Sequence, residues 1–176
     1  MACTQTLSGI PRDCESSMGG IVEAYIANFD DVASVTVSED MITAITMTDT
    51  AKFKTYNFKR NTGSFTSTLN TDPANGVNFV STDIVLLFSR METAKRVEMA
   101  ALSVTDLAMI VKDCNGKYWY FGKDEPVSAS AGDGQTGTNR TDGNRYSITL
   151  QDNSQTWPYE ISVGSPDGVD LSTIVE

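Results

Sequence analysis

The chain has 176 residues, a formal net charge of −10 and no histidine. Its length predicts one domain with a sizeable core, and 40% hydrophobic residues exclude a mostly disordered chain. Without histidine there is no Ser-His-Asp triad, no Cys-His dyad and no imidazole metal ligand, and the acidic balance argues against a protein that grips phosphates with a basic face.

In chain order, residues 1–19 read as an N-terminal arm, 20–163 as a β body and 164–176 as a C-terminal tail. Met1–Arg12 has neither a basic nor an apolar segment of the kind a secretory signal needs. Ile21–Asn28 reads as a first strand after the Gly19-Gly20 break. Met41–Met47 and Phe53–Phe58 read as a strand pair joined by Thr48–Lys52. Ser64–Asn70 alternates Phe65, Ser67 and Leu69 with Ser64, Thr66 and Thr68, a half-buried strand with a hydroxyl-rich outer face. Asn70–Gly76, with Pro73 and Asn75-Gly76, is a turn. Asn78–Phe88 then alternates Val80, Thr82, Ile84, Leu86 and Phe88 over a long stretch, the strongest strand pattern in the chain.

One helix is expected at about 90–102. Ser89-x-x-Glu92 has the form of a capping box, and Met91, Ala94, Val97, Ala101 and Leu102 fall at helical spacing on one face. Leu107–Lys112 and Lys117–Gly122 flank Asn115-Gly116, a strong hairpin signal because both turn residues accept positive φ. About 124–144 is rich in Gly, Ser, Thr and Asp with no core pattern after Val127, and reads as a long loop or mobile insertion, by default a flexible surface loop and alternatively an arm that contacts other subunits. Tyr146–Leu150 and Glu160–Val163 close the body. The fold class read from these patterns is therefore mainly β with one short helix.

Motifs that resemble chemistry lack the context that chemistry needs. Gly132-x-Gly134-x-x-Gly137 matches the letters of a dinucleotide fingerprint but precedes no helix, so no helix N-terminus faces a phosphate. The acid pairs Asp30-Asp31 and Glu39-Asp40 lack the aromatic platforms of a sugar site and read as solvated turns. Cys3, Cys14 and Cys114 are an odd number without CxxC. They read as reduced thiols, with a Cys3–Cys14 disulfide as the alternative in an oxidising compartment. No activating base accompanies them. No enzyme activity and no cofactor or metal is expected.

Surface contacts are the remaining candidates. Residues 1–51 carry eight acids against Arg12, and 146–176 carry five acids and no base, around a middle of twelve bases and ten acids. Lys52, Lys54, Lys59 and Arg60 form the one basic cluster. It reads either as a lysine-guarded strand edge or as a contact, with a phosphate backbone or, better, with an acidic arm of a neighbouring subunit. In Tyr118-Trp119-Tyr120-Phe121, alternate residues face opposite sides, one side core and the other an intersubunit patch that Tyr118 and Tyr120 would supply. Asp124, Arg140 and Arg145, at or beside the expected loop, complete the candidate subunit interface.

Three stretches carry a family likeness: Met18-Gly19-Gly20-Ile21-Val22-Glu23 through Val32; Ala108 through Lys123, with Cys114-Asn115-Gly116 and Tyr118-Trp119-Tyr120-Phe121; and Thr141-Asp142-Gly143-Asn144-Arg145-Tyr146 through Leu150, with Trp157-Pro158-Tyr159-Glu160. The chain resembles small tail-tube or tail-ring virion proteins of crAss-like and related Bacteroides phages. The resemblance implies an antiparallel β-sandwich or barrel of the tail-tube type with one short flanking helix, whose subunits form homo-oligomeric rings in a tail tube, tail barrel or head–tail joining region. The partners implied are further copies, adjacent rings, portal or tail proteins, and genomic DNA passing through the lumen without specific binding. No membrane is involved. The location implied is the virion tail or neck, after synthesis in the host cytoplasm. A capsid decoration protein is the alternative within that class, and a carbohydrate- or partner-binding surface β-sandwich the alternative outside it.

Overall fold

A computed structural model describes residues 7–164 and 168–176. Cys3 and the start of the arm, and 165–167 of the expected tail, lie outside the described residues. The chain forms β1 (Ile21–Asn28), β2 (Val32–Ser38), β3 (Met41–Met47), β4 (Lys54–Asn57), β5 (Gly63–Asp72), β6 (Val77–Ser89), α1 (Thr93–Leu102), β7 (Leu107–Asp113), β8 (Tyr118–Phe121), β9 (Ser128–Gln135), β10 (Arg145–Ser154), β11 (Tyr159–Ile161) and a short α2 (Leu171–Ile174). It is mainly β, in two sheets. The larger has the order β2-β3-β11-β8-β7-β1-β4 and the smaller β5-β6-β10-β9. All strand pairings are antiparallel except β11 with β3, which is parallel.

Period-two burial builds the core. β6 turns Val80, Thr82, Ile84 and Leu86 inward, and its β10 neighbours Leu150 and Ile148 do the same. These pack on Ala24, Ile26, Met109, Val111 and Phe121 of the larger sheet. The alternate residues of that sheet, Tyr25, Ala27, Ala108, Ile110 and Tyr120, face a second core with Phe53, Val169 and Ile174. The centre of the larger sheet is thus buried on both faces, which is why Leu107–Val111 is an unbroken apolar run.

Several expectations need correction. Met41–Met47 and Phe53–Phe58 do not pair: β3 pairs with β2, and β4 with β1. The hairpin partner of β3 is Val32–Ser38, joined through Glu39 and Asp40 at φ 52° and 61°. One of the acid pairs is therefore the centre of a two-residue hairpin turn. The segment 124–144 is not one loop. β9 occupies Ser128–Gln135 and pairs with β10. Its glycines serve packing: a Cβ on Gly134 would lie 2.9 Å from the Tyr146 ring of the opposite strand.

The capping box does not form. Glu92 is the N-cap of α1 without a side-chain cap, and it ion-pairs with Arg90 at 3.1 Å and Lys95 at 3.7 Å. The helix turns Met99 and Leu102 to the core and leaves Val97 55% exposed. Residues 168–176 do not trail as a tail either: Val169 and Ile174 are buried, and Val175 bridges Phe53 in parallel.

Candidate functional site

The candidate residues fall in three regions rather than one. In the first, Phe53 is fully buried while Lys52 and Lys54 flank it in solvent. Backbone bonds close the outer side of β4: Phe53 N–H donates to Ile174 O at 2.8 Å, Glu176 N–H to Phe53 O at 2.9 Å and Thr55 N–H to Glu176 O at 3.3 Å. Lys54 Nζ donates to Glu176 Oε2 at 2.6 Å. That bond, with the charges of Lys54 and Lys52, holds the Glu176 carboxyl below its ordinary range. Lys54 thus meets an acidic end, but the end of its own chain. Lys59 and Arg60, in the exposed turn after β4, pair with no described residue.

The second region is β8 and the turn after it. Tyr120 is 3% exposed and belongs to the core, which corrects its assignment to a subunit surface. Burial, then the nearby Asp152 charge, pushes its pKa up. Tyr118 is half-buried and stacks on Tyr25 at 6.5 Å between ring centroids, with Lys112 Nζ 5.4 Å from its own ring centre. Asp124 is tied within the chain, accepting from Lys123 Nζ at 3.0 Å and Ser154 Oγ at 2.9 Å. Against the opposing effect of its partial burial, these bonds hold its carboxyl below the ordinary range.

The third region is the tip of the β9–β10 hairpin. Arg140 is exposed. Arg145 faces the Gln135 amide, and with that amide turned oxygen-inward its oxygen accepts from Nε and Nη2 at 2.9 Å each. Backbone bonds from Asn139 and Thr138 hold the Asp142 carboxyl low. The tip is pinned to the start of α1 by Arg90 N–H to Asn144 O at 2.6 Å and Met91 N–H to Asn144 Oδ1 at 2.7 Å.

Two features lie beyond the sequence reading. One is Asp152, 4% exposed, which accepts from Gly122 N–H at 2.9 Å. Burial pushes its pKa up to about 6. The Gly122 bond opposes this, and Asp124 and Glu125 add to it. Its signal is parity: Ile148, Leu150 and Asp152 alternate along one inward face. The other is the set of open strand edges. No described residue pairs with the outer side of β2, β5 or β9. Val32–Ser38 has no charged residue, and its alternating Val35 and Val37 are the available clue.

Among the described residues, no three potential metal ligands converge, and no helix is long and apolar enough to cross a membrane. Among the described residues Cys14 and Cys114 form no disulfide. No family model, curated protein or solved structure matches the chain.

Proposed function

We propose that the protein is a structural virion subunit that assembles with copies of itself into rings of a phage tail tube, tail barrel or head–tail joining region. The observation that carries this reading is the set of open edges. Three of the four sheet edges, β2, β5 and β9, have no described strand beside them and contain no Lys, Arg or Pro. Such edges are templates for pairing with another chain unless something guards them. The fourth edge, β4, is guarded by Lys52 and Lys54 and closed by Ile174–Glu176. Edges on two different sheets let one subunit pair with a neighbour on either side. Such heterologous contacts close into a ring when the rotation allows.

The charge supports a conduit in particular. A surface with a net charge of −10 repels phosphate, so DNA would pass without sticking. Decoration of a capsid needs no channel and no head-to-tail contact. Negative-stain imaging of the purified chain over a concentration series tests the reading. Rings or stacked tubes are expected, and single particles of 19.1 kDa at every concentration would contradict it.

A further inference from the structure

We propose that the groove between the start of β1 and the β4–β5 turn receives the N-terminal arm, residues 7–17, of a second copy of this chain. This rests on the self-assembly reading and names one contact through which assembly is made. The groove holds about 630 Å³ and is lined by Met18, Val22, Phe58, Lys59, Arg60 and Cys114 among others. Its apolar surface is uncovered, with Met18 63% and Val22 42% exposed. Its walls are fixed. Asn115 clamps Met18 at both backbone atoms (2.8 Å and 3.0 Å), Cys114 N–H donates to Gly20 O at 3.1 Å, and Phe58 packs on Phe88 at 6.0 Å.

The arm has the complementary features. Residues 7–17 are exposed throughout and form neither helix nor strand. Leu7 is 93% and Ile10 99% exposed, two large aliphatic side chains with no cover in the monomer. Asp13 and Glu15 outweigh Arg12, while the groove rim presents Lys59 and Arg60 without an ion-pair partner among the described residues.

The chain's own arm does not cover its groove: residues 7–17 are exposed throughout and none of them lines it. The double clamp on Met18 fixes the direction in which the arm leaves, and Glu15 adds its charge to those of Glu160 and Asp113 around Lys117 on the β7–β8 turn. Extended, residues 7–17 span about 36–40 Å, on the order of the diameter of a domain this size, so a neighbour's groove lies within reach.

Sedimentation velocity over a concentration series tests this on the full chain, on Leu7→Asp/Ile10→Asp, on Lys59→Glu/Arg60→Glu, and on the latter combined with Asp13→Lys/Glu15→Lys. Wild type is expected to associate. Each of the first two variants should weaken association at least tenfold, with an unchanged thermal transition, and the combined charge swap should restore most of it. Association within twofold of wild type in both of the first two variants would overturn the arm contact while leaving the edge-pairing reading standing. A wild-type chain that stays monomeric overturns both. Faster proteolysis at Arg12 in Lys59→Glu/Arg60→Glu with unchanged association would place the arm in its own groove and also overturn it.

Discussion

Lys54 and Glu176 lie far apart in sequence and meet at 2.6 Å, joining the guarded edge of the larger sheet to the last residue of the same chain. Both side chains are more than half exposed, so solvent screens the ion pair and it adds little by itself. The strength of the closure lies in the three backbone bonds between Phe53–Thr55 and Ile174–Glu176 and in burial of Ile174. Lys54→Ala should therefore leave the urea midpoint nearly where it is in wild type. Ile174→Ala should cost about 2–5 kcal/mol. Urea unfolding of the two variants checks the ordering.

Asp152 makes stability depend on pH in a stated direction. Its folded pKa of about 6 lies above the ordinary 3.8. Its contribution is therefore present below about pH 4 and lost as pH rises through about 6. The loss is on the order of 2–3 kcal/mol, since each tenfold change in proton affinity is worth about 1.4 kcal/mol. Asp152→Asn keeps an oxygen for Gly122 N–H and removes the titration. It should be more stable than wild type at pH 7, with the difference vanishing towards pH 4. Paired melts at several pH values read this difference, in which the groups held low, such as Asp72 and Glu176, cancel.

Gly122 is the backbone end of the same bond. It sits at φ +87°, and an added Cβ would lie 3.0 Å from Leu107 O and 3.2 Å from Ala108 Cα, both backbone atoms that cannot move aside cheaply. Gly122→Ala should cost about 1–3 kcal/mol or more, measured by denaturant midpoint.

The two faces of α1 provide a further check. Leu102 is 4% exposed and Val97 55%. Leu102→Ala should destabilise by about 2–5 kcal/mol, whereas Val97→Asp should stay within about 0.5 kcal/mol of wild type. The reverse ordering, with Val97→Asp the costlier change, would mean the helix is docked on its other face.

The fold is legible in the sequence where packing and local preference agree. β1 is readable at Ile21–Asn28, and β6 and β7 within a residue or two of their ends, because long apolar or alternating runs fix a face. The β7–β8 hairpin follows from Asn115-Gly116, with Gly116 at φ 81°. β9 is not legible: Ser128–Gln135 has no β-branched residue, and its extended form is imposed by β10, whose Tyr146 ring needs the space that Gly134 leaves. The helical spacing places Leu102 in the core and Met91 half-buried, as the structure has them, but misses the rest of the face: Ala94, Val97 and Ala101 are left in solvent while Met99 packs on the core. Lys54 is recognisable from sequence as a charged, exposed edge residue. Its partner is not, because the fold-back of Ile174–Glu176 depends on a pocket assembled from distant strands.

If subunits assemble through open strand edges, lysines placed to block one edge should prevent it. Ser34 and Thr36 lie on β2, which has no charge of its own, and Ser34 is exposed. Light scattering coupled to gel filtration should give wild type a mass of many subunits and Ser34→Lys/Thr36→Lys a monomer of 19.1 kDa with an unchanged melt. Wild type eluting as a monomer at every concentration, or both chains giving the same multimeric mass with the β5 and β9 edges equally insensitive to lysine, would contradict the account.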